Sequence, residues 1–305
     1  MSDSPDPKHS GPFEARYLAF LETITQLRPS LHRYCSRMTG SVLDGEDVVQ
    51  EALFQAYRKL DTFDDERPLA PWLFRIAHNR CIDFLRRRGV QVEAETAVIG
   101  LDFVEPSLPH GPALGRAVEH LVMALPPMER ACVLLKDVFD YTLEEIAALV
   151  DSTIGGVKAA LSRGRAKLAA LPTTPQPPRV TAAGMSHLLS LYVDRFNRRD
   201  WDGLRELISA DARLQVADRF SGPLTESPYF SRYDRLENWR MAFGDVDGQP
   251  VIVALYSEGG AWKPQSVVRL ELAGDRIARI VDYLHCPWML ANARSVDVSR
   301  AAVRP

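Results

Sequence analysis

The apolar positions of this chain recur in two different rhythms. Up to about residue 171 they fall at steps of three and four, the spacing of a helix with one buried face. Beyond about residue 250 they gather into β-branched, partly alternating runs. One helix is predicted over residues 69–88, with Pro71 in its first turn, where a missing N–H costs nothing, and no further proline before Gly89. Steps of 100° put Leu73, Ile76, Ala77 and Phe84 on its buried side, and Trp72, Arg75, Asn79 and Arg86 on a different stripe. An earlier helix starts at Asp44, a candidate N-cap, and buries Val49, Ala52, Leu53, Ala56 and Leu60. Its opposite side carries Asp47, Glu51, Phe54 and Arg58.

Two shorter amphipathic segments follow, separated by residues 151–156. Thr142 with Glu145 has the spacing of a capping box for the first, and Ser152 or Thr153 can cap the second. In the second, Ile154, Val157, Leu161 and Leu168 are expected to face inward. Gly156, Ala159, Arg163 and Lys167 are expected outward, with Lys158 and Arg165 flanking. Two helices joined this way read as a helix-turn-helix, or as a plain three-helix core with a basic end.

Prolines and glycines divide the chain. Residues 89–112 are acidic and proline-bearing with weak periodicity, and residues 171–180 hold four prolines and cannot continue a helix. A formal net charge of −3 over 305 residues does not mark a nucleic-acid binder, so any such role rests on local basic surface such as Arg86, Arg87 and Arg88. Cys35, Cys81, Cys132 and Cys286 lack metal-ligand spacing, which predicts reduced thiols and no metal site. No apolar run approaches membrane-spanning length, and the amino-terminal stretch has no signal-peptide core, so a cytoplasmic chain is expected.

The stripe on residues 69–88 combines an aromatic that can stack on a base, an amide that can bond a base edge, and guanidinium groups for phosphate. Single-stranded DNA binding calls for that set, and a solvated face with a half-buried tryptophan is the plain alternative. Small outward residues on residues 154–168 let a helix approach a major groove, where flanking cations reach phosphates or guanine edges. An outward Phe54 among charges is either a protein-contact anchor or a lone exposed aromatic.

Four motifs in this order carry a resemblance: Asp44-Gly-Glu-Asp-Val-Val-Gln-Glu51, Pro71-Trp-Leu-Phe-Arg-Ile-Ala-His-Asn-Arg80, Leu125-Pro-Pro-Met-Glu-Arg130, and the helix-turn-helix. Together they resemble a bacterial sigma factor of the extracytoplasmic-function group, with its regions two and four. The resemblance implies that Asp47, Gln50, Glu51 and Phe54 dock on core RNA polymerase. It implies that Trp72, Arg75, Asn79 and Arg86, beside the loop 62–67, hold the melted downstream promoter element. Lys158, Arg163, Arg165 and Lys167 would then read the upstream element as duplex. Neither step is catalysis, and neither a catalytic residue nor a cofactor is expected.

Over a hundred residues follow the second linker. Met185, Leu188, Leu189, Tyr192 and Phe196 form a helical stripe, and Leu204, Leu207 and Ile208 suggest another short helix. Strands are predicted over 251–256, 266–272 and 276–284, with a hairpin turn at 273–275, giving an α+β domain. Phe196-Asn-Arg-Arg-Asp-Trp-Asp-Gly-Leu204, Gly248-Gln-Pro-Val-Ile-Val253 and Arg276-Ile-Ala-Arg-Ile-Val-Asp-Tyr283 resemble SnoaL-like members of the NTF2-like superfamily, which implies a curved antiparallel sheet enclosing a conical pocket. Tyr229, Tyr233, Trp239, Tyr283 and His285 are candidate pocket residues, although alternation sets Tyr283 and His285 on one face and Asp282 on the other. A small-molecule ligand, an Asp282 or His285 base, and a ligand-free packing domain all stay open at this point.

The fold class expected is therefore multidomain: two all-α sigma modules, then an α+β NTF2-like cone. The expected divisions are 1–20, 21–90 (region two), 91–112, 113–171 (region four), 172–180, 181–290 (the cone, with a regulatory role) and a tail at 291–305. Core polymerase and promoter DNA are the implied partners. A fused extension leaves open whether a separate anti-sigma protein acts. A ligand-sensing repressor and a SnoaL-like isomerase or hydrolase with a helical appendage are the competing readings. The first leaves the Phe54 face unexplained, and the second leaves most of the motifs unused.

Overall fold

The computed structural model describes residues 12–64, 68–88, 122–170, 186–217, 219–234 and 236–298, so both expected linkers lie outside the described residues. The chain divides into two compact units, Met1–Thr174 and Pro175–Pro305.

In the first unit, α1 (Pro12–Thr39), α2 (Val42–Arg58) and α3 (Leu69–Arg87) pack mutually. Gly40 at φ +90° turns the chain between α1 and α2, and Ser41 Oγ accepts the N–H groups of Leu43 and Asp44. Ser41 is therefore the cap of α2, not Asp44. The helix starts a turn earlier than its apolar rhythm suggests, and Asp44 instead pairs with Arg88 at 3.1 Å. On α3 the buried face runs through Leu73, Phe74, Ile76, Ala77, His78, Cys81 and Leu85. Phe84 is only half-buried, lying against the guanidinium of Arg88.

The helices α4 (Pro127–Val133), α5 (Leu143–Leu149) and α6 (Ile154–Ala169) follow, α4 running into a π turn at Leu134–Val138. One continuous hydrophobic core takes in α1 to α6, with Tyr34, Phe74, Phe139 and Tyr141 meeting edge to face at 5.5–6.0 Å. The two helical modules expected from the sequence are both present, and the core they share was not legible there, since helical periodicity reports which face is buried and not what buries it. On α6, Val157, Ala160, Leu161, Gly164 and Leu168 are buried. Ile154, expected inward, is exposed because it opens the helix straight after the turn.

The second unit is α+β. A seven-stranded sheet has the order β2-β1-β6-β5-β4-β3-β7, from β1 (Ile208–Val216), β2 (Phe220–Pro223), β3 (Trp239–Val246), β4 (Gln249–Glu258), β5 (Ala261–Ala273), β6 (Arg276–Asp282) and β7 (Val296–Val298). Every pairing is antiparallel except β1 with β6, which is parallel and corrects the purely antiparallel expectation. The β3–β4 hairpin turns on Asp247 and Gly248, both at positive φ, the backbone that an Asp-Gly pair favours.

Side chains from α7 (Ser186–Asn197), α8 (Trp201–Glu206) and α9 (Tyr229–Asp234) fill one face of the sheet. Asn197 pins α7 to β3, accepting from the Met241 N–H and donating to its carbonyl, each at 2.8 Å. On the other side α10 (Trp288–Asn292) packs against β5, with Met289 buried. The unit runs past residue 290. Residues 296–298, expected in a tail, pair with β3 as an edge strand too short to show a period of two. The second unit is thus a mostly antiparallel seven-stranded sheet packed with helices.

Candidate nucleic-acid and polymerase interfaces

The outward side of α2 is an apolar spot in a charged frame. Phe54 is 64% exposed, with Arg58 over its ring, and Tyr57 one turn on is 46% exposed. Glu51 lies beside it and pairs with Arg87 at 3.4 Å. Asp47 and Gln50 are half-buried, and Gln50 donates to Glu46. Glu46 itself is buried against Arg28 of α1 and serves the helix pair, not the surface. Tyr57 escaped the sequence reading because it stands three residues from Phe54 among charges and looks like another solvated position.

On α3 the expected stripe exists. Arg75, Asn79 and Arg86 are exposed, and Trp72 is half-buried with its ring 4.6 Å from that of Phe63. Phe63 is the addition here: it shores up one face of Trp72 from the loop 62–67, of which residues 65–67 lie outside the described residues. Arg75 comes within 3.9 Å of Asp151, in the turn between α5 and α6, and Arg86 is 3.5 Å from Asp83. Beneath the stripe Arg80 donates to Gln55 at 2.7 Å, tying α3 to α2.

The helix-turn-helix is set by local chemistry. Thr142 and Glu145 form the capping box, Asp151 takes a positive φ in the turn, and Thr153 caps α6 through the Gly156 N–H. The four basic candidates then part company. Lys158 is exposed. Arg163 and Lys167 reach the buried carboxylate of Glu129 at 3.0 and 3.1 Å, and Arg165 grips both oxygens of Asp137 at 3.2 and 2.7 Å. Arg165 is thus drawn into a bidentate pair with α4's extension. Gly164 lets α6 approach α4, since a β-carbon there would sit 3.0 Å from Val133.

In the second unit, Tyr229 and Tyr233 of α9 both donate to one oxygen of Asp282 at 2.9 Å, and the Leu284 N–H donates to the other. Burial pushes the Asp282 carboxyl above its ordinary value, against the lowering effect of the tyrosine hydroxyls. Trp239 packs edge-on against Tyr233. Tyr283 and His285 lie beyond the end of β6, and His285, in the turn that follows, is near enough to Asp282 for its charge to favour the carboxylate. Tyr229 and Tyr233 are buried in the hydrophobic core of the unit. A cleft of about 360 Å³ lies between β1 and the 224–231 segment, lined among others by Ser209, Thr225, Phe230 and Ser231, and none of the five pocket candidates lines it. Among the described residues no helix is long and apolar enough to cross a membrane.

Comparison with known proteins follows the same division. Residues 23–90 match Sigma-70 region 2 and residues 115–168 match Sigma-70, region 4. The chain is 32% identical over 148 residues to the ECF RNA polymerase sigma-E factor of Escherichia coli (strain K12), covering 44% of this chain and 78% of that protein. It is 26% identical over 300 residues to the ECF RNA polymerase sigma factor SigG of Mycobacterium tuberculosis (strain ATCC 25618 / H37Rv), covering 84% and 79%. The crystal structure of the Mycobacterium tuberculosis extracytoplasmic function sigma factor SigJ aligns over 86% of this chain and 95% of its own, at 16% identity and a TM-score of 0.34. A region 2 helix set joined to a region 4 helix-turn-helix defines a protein of sigma-70 type. Within that class the chain belongs to the ECF RNA polymerase sigma factors.

Proposed function

We propose that the chain engages core RNA polymerase through Asp47, Gln50, Glu51 and Phe54 of α2 and directs promoter-specific initiation. Duplex reading falls to α6, with Lys158, Arg163 and Lys167, and Arg165 stays with Asp137 as a brace. Melting falls to α3. The observation that carries the reading is the row of half-buried Trp72 and exposed Arg75, Asn79 and Arg86 on the side of α3 away from its buried face. An aromatic, an amide and two guanidiniums so placed favour an unstacked strand over a closed duplex, and binding that prefers the open state shifts the equilibrium toward it. The chain would act where the polymerase is, in the cytoplasm, without chemistry of its own.

The second unit modulates that activity. Its interior is filled by Tyr229 and Tyr233, which supports a packing and regulatory role over an enzymatic one. A small-molecule ligand inside the cone would have to displace those tyrosines from Asp282.

The test is transcription by purified bacterial core polymerase, comparing the full chain with a chain ending after Leu171 and with Trp72→Ala and Asn79→Ala in the full chain. Both variants should keep polymerase binding and lose permanganate reactivity of promoter thymines. Unchanged reactivity in both would remove α3 from melting. The activity of the short form against the full chain gives the sign of the second unit's effect.

A further inference from the structure

Among the described residues, seven large apolar side chains are exposed, and four of them lie together on the first unit: Leu18 (56%) and Leu21 (40%) on α1, Phe54 and Tyr57 on α2. Their arrangement follows from helix geometry. Phe20 is buried and holds the amino-terminal turns of α1 to the core, and Leu18 stands about 200° around the helix from it. Leu18 and Leu21 are three residues apart, Leu21 lies one turn beyond Tyr17, and Tyr17 packs edge-on against Tyr57 at 5.7 Å. Tyr57 in turn neighbours Phe54. With the Tyr17–Tyr57 contact as the link, this spacing sets the four along one stretch of surface that crosses from α2 to α1. Leu18 and Leu21 precede the stretch matched to region 2, which begins at residue 23.

We infer that the polymerase-docking face continues from Phe54 and Tyr57 onto the amino-terminal turns of α1, where Leu18 and Leu21 are further contacts for core RNA polymerase. The inference rests on the assignment of the α2 face to core polymerase. Contiguous exposed apolar surface marks an interaction site more often than scattered single residues do. The aromatic pair has the character of central anchors, and the leucines that of flanking residues that keep water from them. A charge at either leucine would have to be dehydrated on binding, whereas truncation to alanine removes only contact area.

The experiment uses the full chain and bacterial core polymerase. Dissociation constants are measured for the wild type, Phe54→Glu, the double variant Leu18→Glu/Leu21→Glu, and the double variant Leu18→Ala/Leu21→Ala, with thermal unfolding of each as a check on folding. The expected result is at least about tenfold weaker binding for both glutamate variants and about threefold for the alanine pair, at unchanged unfolding temperature. Weakening by Phe54→Glu alone, with both leucine pairs within twofold of wild type, would overturn the inference and leave the α2 assignment standing. No weakening by any variant would remove the α2 assignment and the inference with it. A wild-type dimer by light scattering that the leucine variants make monomeric would overturn it in favour of a second copy of the chain.

Discussion

Arg130 of α4 donates a hydrogen bond to the carbonyl of Met38, ninety-two residues earlier in the last turn of α1. The same guanidinium donates to the carbonyls of Val122, Met123 and Leu125 at 2.9–3.2 Å. The last carbonyls of a helix lack partners of their own, and a cation there also meets the negative end of the helix dipole. A side chain with five donors in a planar fork closes several of these gaps at once, which no other residue type does.

Replacing Arg130 by Met should therefore leave buried carbonyls without donors and lower the stability of the first unit by about 3 kcal/mol. Arg130→Lys, whose three donors sit on one nitrogen and cannot span the same carbonyls, should fall between. Urea unfolding of the full chain, followed by a probe in the first unit, reads the difference. Wild-type stability in both variants would mean that Arg130 is not a clamp.

Acid should weaken the first unit through His78. Its Nδ1 is hydrogen-bonded to the Tyr34 hydroxyl at 2.8 Å, and burial pulls the imidazole from 6.5 down to about 4. The folded state then holds a neutral ring where the unfolded chain takes a proton. Stability contributed by the neutral ring is present above pH 6.5 and is lost as pH falls toward 4, at about 1.4 kcal/mol per pH unit and about 3 kcal/mol in all. His78→Gln should flatten that slope in unfolding measurements between pH 7 and 4.

The second unit should respond in the opposite sense. Because burial raises the Asp282 carboxyl in the fold, the folded state binds its proton more readily than the unfolded chain. Stability is then highest below the ordinary carboxylate value and declines as pH rises through the folded one. Asp282→Asn retains an acceptor for Tyr229 and Tyr233 and removes the ionisation, so it should abolish this slope and leave the unit at least as stable at pH 8. A wild-type slope in the Asn variant would assign the effect to another group, Asp245 being raised in the same unit.

Duplex binding by α6 should be tunable through Glu129. Its buried carboxylate takes up Arg163 and Lys167 together. Glu129→Gln releases both cations to phosphate, and the dependence of duplex affinity on salt should steepen by about one to two in log–log slope. Lys158→Ala should reduce that slope by about one. Titration of labelled duplex at several salt concentrations distinguishes these outcomes, and an unchanged slope in both would place the DNA surface elsewhere.

Much of the candidate interface is legible in the one-dimensional pattern. The stripe of α3 follows from residue spacing alone, because position around a helix axis is a function of residue number. Phe63 does not follow from it, because its contact with Trp72 crosses a loop. The basic residues of α6 show the limit most clearly. Arg163 and Lys167, expected outward, and Arg165, expected on the flank, all look like cations free for DNA, yet their acidic partners stand 34, 38 and 28 residues away.

By itself the chain's sequence determined what is encoded within a turn or two: the helices of the first unit, the Thr142–Glu145 box, the turn at 273–275, and the motifs that place it among the sigma factors. Those features depend on neighbours three or four residues apart, and a window of sequence contains them whole. Tertiary structure alone decided that the two helical modules share one core through Phe139 and Arg130. It alone set β1 beside β6 in parallel, aligned Val296 with Val246, and brought two tyrosines of α9 onto Asp282. Each of these is a contact between residues separated by tens of positions, and its energy exists only once the chain has closed the loop between them.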